Sequence, residues 1–166
     1  MPSPRPSILL RPATPADIPL ILELIRGLAE YERLAGEAVA TAADLEEALF
    51  GPRPAAEVVL AECDGEPAGF ALFFVSFSTF LGKPGLYLED LFVWPRFRGR
   101  GVGKRLMLHL ARLAVERGHG RFEWSVLDWN APAIGFYRRL GATPMEGWTV
   151  QRVSGEALRA LAAIGD

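Results

Sequence analysis

The chain has one cysteine, Cys63, in 166 residues, so no disulfide can form within it. That suits a reducing compartment, and a cytoplasmic location is expected. There are two histidines, His109 and His119. Neither stands at metal-ligand spacing from a second ligand, so no metal is expected. The formal charge of −2 supplies no broad basic field, which disfavours nucleic acid as a partner. No apolar run approaches the length of a membrane span. The longest, 68–80, is broken by serines and reads as a buried strand. Ile8-Leu9-Leu10 is too short for the apolar core of a signal peptide, and no membrane partner is expected. Repeats, low-complexity linkers and composition breaks are also missing, so residues 1–166 read as a single domain.

What is present is a globular composition, 50% hydrophobic and 23% charged. Residues 8–11 read as a first strand. Thr14-Pro15-Ala16-Asp17 announces a helix: Thr14 can cap it, Pro15 suits its first position, and Asp17 completes a capping box. Ile18, Ile21, Leu22, Ile25, Leu28 and Ala29 then recur at helical spacing. Thr41-Ala42-Ala43-Asp44 repeats the start signal for a second helix. Residues 58–63 and 68–78 read as strands joined by an Asp64-Gly65 hairpin turn. Lys83-Pro84-Gly85 reads as another turn, and 86–94 as a strand stopped by Pro95. A glycine-rich loop opens a helix carrying Val102, Leu106, Leu110, Leu113 and Ala114. Residues 121–127 read as a strand, 131–140 as a helix, 148–153 as a last strand and 154–164 as a final short helix. The order predicts an α/β fold, a mixed, mostly antiparallel central sheet flanked by helices.

The sharpest local pattern is Arg98-Gly99-Arg100-Gly101-Val102-Gly103-Lys104, between a strand and a helix. Glycines let the backbone approach a ligand closely with its N–H groups exposed. The helix N-terminus favours an anion, and two arginines bring positive charge to the same place. A pyrophosphate fits. A Walker loop is excluded because Arg105 follows Gly103-Lys104 and Arg98 occupies its first glycine position. A dinucleotide fingerprint is excluded because its last glycine falls on Lys104 or Leu106.

Arg98-x-x-Gly101-x-Gly103 matches the signature of the GNAT acetyltransferases. Three further segments resemble the spermidine/spermine (diamine) N-acetyltransferase branch of that superfamily. They are Leu86-Tyr87-Leu88-Glu89-Asp90-Leu91-Phe92-Val93, the run from Trp129-Asn130-x-Pro132 to Phe136-Tyr137-Arg138-Arg139-x-Gly141-Ala142, and Glu146-Gly147-Trp148. Ile8-x-x-Arg11-Pro12-Ala13-Thr14 and Leu28-Ala29-x-Tyr31-Glu32 are similar too, so the resemblance covers nearly the whole chain. It implies acetyl-CoA as donor, a primary amine of a small di- or polyamine as acceptor, and a homodimer. It implies that Leu91, Phe92 and Val93 hold the acetyl carbonyl and pantetheine through their backbone. Gly99, Arg100, Gly101, Val102, Gly103 and Lys104 would cradle the pyrophosphate with Arg98. Asn130 and Ala133 would also touch the cofactor. The stretch 142–145 is shorter than in the polyamine enzymes, and 120–124 matches less closely. The acceptor therefore stays open among polyamines, thialysine, other amino compounds and protein amines, and a non-catalytic acetyl-CoA sensor remains an alternative.

Acetyl transfer to an amine needs a base, because an alkylammonium of pKa ~10 is not nucleophilic at neutral pH. It needs donors for the oxyanion and a proton for the departing thiolate. Glu89 is the candidate base, acting through a water. Asp90 falls on the opposite face of a regular strand and is a candidate cation holder if the strand is distorted. Tyr137 is the candidate acid through the resemblance; its helical pattern alone reads as core. Glu32, Glu89, Asp90 and Glu146 would make an acidic acceptor pocket, with Tyr31 and Trp148 as aromatic walls. Arg138 either reaches a CoA phosphate or complements its helix end.

Overall fold

The computed structural model describes residues 5–165. They form two compact units, one ending at Leu127 and the other beginning at Asp128. The first unit is built on five strands: β1 (Ile8–Pro12), β2 (Glu57–Cys63), β3 (Glu66–Ser78), β4 (Lys83–Val93) and β5 (Phe122–Trp124). Their spatial order is β1-β2-β3-β4-β5. The first four pair antiparallel and β5 joins β4 in parallel. Three helices accompany them: α1 (Ile18–Tyr31), α2 (Ala42–Phe50) and α3 (Val102–Glu116). Among the described residues no helix is long and apolar enough to cross a membrane.

Local chemistry explains the element ends. The backbone N–H of Thr14 donates to the Asp17 carboxylate at 2.8 Å, and that of Thr41 donates to Asp44 at 2.8 Å. Both predicted helix starts are therefore capping boxes. Pro15 and the Asp17 N–H bond to the Thr14 carbonyl tighten the first turn into a 3₁₀ turn, Pro15–Asp17, before α1 begins. At the β2–β3 connection Asp64 has φ 53° and Gly65 has φ 84°. Two successive left-handed residues make the hairpin turn that Asp-Gly favours.

Two sequence expectations are corrected. Lys83-Pro84-Gly85 is not a turn: it opens β4, opposite Ser78, Phe77 and Ser76. The reversal lies just before it, where Gly82 takes φ 61°, and Pro84 sits near the strand start, where proline is tolerated. Residues 148–153 form no strand. Their alternating pattern is β-like, but a strand exists only where a neighbour pairs with it, and none is paired with it among the described residues.

The core lies on both faces of the sheet. Ile21 and Leu24 of α1 and Leu45 and Leu49 of α2 pack with Leu60, Phe70 and Phe92 on one face. On the other side α3 buries Val102, Leu106, Met107, Leu110 and Ala114. Cys63 is fully buried and behaves as a small core residue. Gly27 of α1 faces Trp94 so closely that a Cβ there would stand 2.6 Å from the indole. This contact holds α1 against the end of β4.

The first unit's start is fastened by Arg11, whose fork donates to both Asp17 oxygens at 2.8 and 2.9 Å while its Nε reaches Glu62 at 3.1 Å. The Arg11 guanidinium holds the Asp17 carboxyl well below the usual carboxylate range. A depressed carboxyl contributes stability above its unfolded value, near pH ~4, and loses it as pH falls. Asp17→Asn should cost about 1.5–3 kcal/mol at neutral pH, the range for hydrogen bonds to charged groups. Urea melts should separate the two proteins at pH 7 and draw them together as the buffer is acidified. Equal midpoints at pH 7 would mean the fork contributes nothing.

Candidate active site

The site is organised by an irregularity in β4. Asp90 lies opposite Leu72 of β3, while Leu88 lies opposite the next residue, Phe73. Glu89 is the extra residue of a β-bulge. Leu72 and Phe73 point to opposite faces of the sheet, so their partners Asp90 and Leu88 do as well. Without the bulge Asp90 would share a face with Leu86 and Leu88, which are buried. With it, Asp90 shares the face of Phe92, which belongs to the α1–α2 core. The strand is therefore distorted where the sequence alone left two possibilities.

The same strand loses its other neighbour at the same place. β5 pairs with β4 only over Leu86, Tyr87 and Leu88. From Glu89 onward the outer edge of β4 has no pairing strand among the described residues. Trp94 donates its N–H to the Ala68 carbonyl on the inner side. By the alternation of an antiparallel ladder, Phe92 also turns its backbone groups inward, and Leu91 and Val93 turn theirs outward. The Val93 carbonyl confirms this direction, since it accepts Arg98 Nε at 3.0 Å. β4 thus offers a short row of outward N–H donors beside its bulge.

The glycine-rich loop follows. Gly99 has φ 75° and Gly101 φ 91°, conformations that side chains resist, and a Cβ built on either meets nothing within 4 Å. The glycines are there for backbone shape and for an open surface. α3 begins at Val102, and its first intrahelical bond runs from Arg105 N–H to the Gly101 carbonyl. The N–H groups of Val102, Gly103 and Lys104 have no helical acceptor, a helix end that favours an anion. The loop is a cradle of the kind a pyrophosphate requires, so its residues fit acetyl-CoA.

Both loop arginines are held by the protein. Arg98 stacks over the Tyr31 ring, 4.5 Å from its centroid, as well as binding Val93. Arg100 lies 3.6 Å from Asp64 of the β2–β3 turn and 5.6 Å from the Phe97 centroid. The sequence showed Asp64 as a hairpin residue only. Its meeting with Arg100 depends on a β2–β3 turn reaching the loop, which no local pattern encodes.

At the bulge, burial, then Glu89, then Glu32 push the Asp90 carboxyl up to about 6. Burial also raises Glu32, which follows Tyr31 at the end of α1. Glu89 is exposed. The first unit thus brings together Tyr31, Glu32, Glu89, Asp90, the Leu91–Val93 backbone and the loop from Arg98 to Lys104. No group of three His, Cys, Asp or Glu residues could hold a metal ion among the described residues.

The second unit carries the remaining predicted residues. α4 (Ala131–Arg139) is capped by Asn130, whose Oδ1 accepts the Ala133 N–H at 3.3 Å. Asn130 is buried. Tyr137 stands on α4 with its ring 5.3 Å from that of Phe136. Arg138 and Arg139 occupy the last turn, where they complement the helix dipole. Glu146 and Trp148 are exposed in irregular chain before α5 (Gly155–Ala162).

Comparison with known proteins gives a consistent result. The acetyltransferase (GNAT) family model matches residues 24–142. Thialysine N-epsilon-acetyltransferase of Sus scrofa is 38% identical over 94% of this chain and 98% of its own length. L-ornithine N5-acetyltransferase NATA1 of Arabidopsis thaliana is 35% identical over 92% of this chain and 86% of its own. Among solved structures, an integron cassette protein from the mobile metagenome of V. cholerae aligns with a TM-score of 0.80 at 26% identity. That alignment covers 95% of this chain and 99% of the other.

The raised Asp90 carboxyl has a stability consequence. The folded protein keeps a proton that the unfolded chain releases between pH ~4 and the raised value of about 6. Stability therefore falls as pH rises through that window and levels off above it, by roughly 2–3 kcal/mol. Asp90→Asn should flatten the fall and melt higher at pH 7. Denaturant melts from pH 4 to 8 that run parallel for the two proteins would show that Asp90 carries no such penalty.

Proposed function

Because the chain belongs to the acetyltransferase (GNAT) family and is an acetyl-CoA-dependent N-acetyltransferase, we propose that its acceptor is a small molecule with two or more amino groups. A di- or polyamine fits, as does a diamino acid of the thialysine or ornithine kind. The observation that carries this reading is the convergence of Glu32, Glu89 and Asp90 at the β4 bulge, where Asp90 is pushed up to about 6. A second ammonium on the acceptor offsets the cost that burial, and then the neighbouring carboxylates, place on the Asp90 charge while the first amine is acetylated. The names of two relatives, which are enzymes of thialysine and ornithine, point to the same class.

Each residue then has a task. Asp90, with Glu32 beside it, holds the cationic end of the acceptor. Glu89 takes the proton of the reacting ammonium through a water, which its exposed position in the bulge permits. The outward N–H of Leu91 donates to the acyl carbonyl, and that of Val93 to the pantetheine. Gly99 to Lys104 bind the diphosphate, Arg98 and Arg100 set the local charge, and Asn130, Ala133 and Arg138 add contacts from α4. Bound acetyl-CoA supplies the acyl group and a thiolate leaving group. Tyr137 gives that sulfur its proton.

A homodimer is part of the proposal. The β-like segment 148–153, which pairs with no strand among the described residues, leaves Trp148 and Val150 exposed at 81% and 79%. A second copy of the chain supplies the strand neighbour and apolar cover that this segment lacks. Sedimentation of the purified chain should give twice the monomer mass, and Val150→Lys should shift it toward monomer. A wild-type monomer at micromolar concentration rejects this pairing.

Activity is tested by thiol release from acetyl-CoA with spermidine, spermine, putrescine, thialysine, ornithine, lysine, a small peptide and an aminoglycoside. Small diamines or diamino acids should turn over. Tyr137→Phe should lower kcat by on the order of 100-fold, the usual scale for a general acid. Turnover confined to the peptide or aminoglycoside overturns the acceptor class. Acetyl-CoA binding without turnover on any of these acceptors would also overturn the proposed acceptor class.

A further inference from the structure

Arg98 opens the glycine-rich loop, yet its side chain is spent on the protein. Its Nε donates to the Val93 carbonyl at 3.0 Å, and its guanidinium carbon stands 4.5 Å from the Tyr31 centroid and 5.6 Å from the Phe92 centroid. Three elements meet on one planar cation: the end of α1, the end of β4 and the start of the loop. The Arg98 backbone is extended, and the chain then turns left-handed at Gly99. Fixing this side chain therefore fixes where the loop begins and how its N–H groups are aimed.

Tyr31 is the last residue of α1 and adjoins Glu32, whose charge is felt at Asp90. The acceptor end of α1 and the first residue of the phosphate cradle thus meet in the Tyr31–Arg98 stack. We propose that Tyr31 is a positioning residue for the cofactor loop: its ring, stacked on Arg98, holds the loop in its diphosphate-binding shape and couples acceptor binding to CoA binding. This rests on the reading of the loop as the CoA diphosphate cradle.

The proposal differs in kind from an aromatic wall for the acceptor. A wall needs the Tyr31 ring near the amine and has no bearing on CoA in the amine's absence. A positioning ring affects CoA affinity with no amine present. It also predicts that a planar guanidinium at 98 matters more than its charge, because lysine keeps the charge and loses both the flat face and the Nε donor.

The experiment is titration calorimetry of CoA alone into wild type, Tyr31→Phe, Tyr31→Leu, Arg98→Lys and the Tyr31→Leu/Arg98→Lys double variant, with thermal melts as a check of folding. Tyr31→Phe keeps the stack and should bind CoA within about twofold of wild type. Tyr31→Leu and Arg98→Lys should each weaken CoA roughly tenfold, and the double variant should be scarcely worse than either alone. Arg98 is exposed, so its variant tests the pair even where Tyr31→Leu melts out. Full affinity in Tyr31→Leu or in Arg98→Lys, or strictly additive losses, overturns the inference while wild type still binds CoA. Wild type that binds no CoA overturns the proposed function, and this inference with it.

Discussion

One extra residue in β4 sets the geometry of the first unit's site. The bulge at Glu89 separates a proximal half, whose Leu86 and Leu88 are buried, from a distal half that shares the α1 face. It moves a carboxylate that regular alternation would send to one side of the sheet onto the other. It also coincides with the end of the β4–β5 pairing after Leu88. A parallel neighbour continued past that point would have consumed the outward N–H groups of Leu91 and Val93. The bulge places the Asp90 carboxylate and the end of β5 leaves the donor row, and the two features meet at the same point of β4.

The loop beyond β4 solves a related problem with opposite charge. A diphosphate is bound best by fixed dipoles and N–H groups that need no reorganisation, with cations close enough to offset its charge. Two left-handed glycines and the first turn of α3 supply the first requirement. The arginines meet the second without being free to wander: Arg98 is clamped between Tyr31 and the Val93 carbonyl, and Arg100 faces Asp64. Arg100 and Asp64 are both half exposed, so that pair adds little to stability by itself. Its effect is to keep a cation near the loop while leaving it able to turn to a stronger anion.

Local chemistry was legible in the sequence and tertiary coincidence was not. Thr14-Asp17 and Thr41-Asp44 announce helix starts because a capping box is satisfied within four residues. Asp64-Gly65 announces its hairpin because φ is a property of the residue itself. The glycine-rich loop is readable for the same reason. The bulge is not, because register depends on which residue of β3 meets which of β4, and Tyr87-Leu88-Glu89-Asp90-Leu91 contains no glycine to mark it. Lys83-Pro84-Gly85 misled because its turn-like composition competed with pairing to Ser76 and Ser78, and pairing won. Residues 148–153 misled in the opposite sense: the alternation is genuine, but a strand is a relation between two segments. The Arg98–Tyr31 stack joins residues far apart in the chain, and only the meeting of α1 with the end of β4 reveals it.

The electrostatics of the bulge argue for the kind of acceptor as well as its place. Every influence on Asp90 acts in the same direction, and burial raises Glu32 too. Burial first, and then the neighbouring carboxylates, make an ionised Asp90 costly in the folded protein. An acceptor with one amine would relieve this only until that amine lost its proton to react, at the moment when the pocket again lacks a cation. An acceptor with a second ammonium keeps the relief throughout, so its binding energy persists while the reacting amine becomes neutral. Under the proposed function, the cost of ionising the buried Asp90 beside Glu89 and Glu32 would favour diamines over monoamines of the same length. This preference requires no additional contact to the substrate, only that Asp90 stay on the α1 face where the bulge has put it.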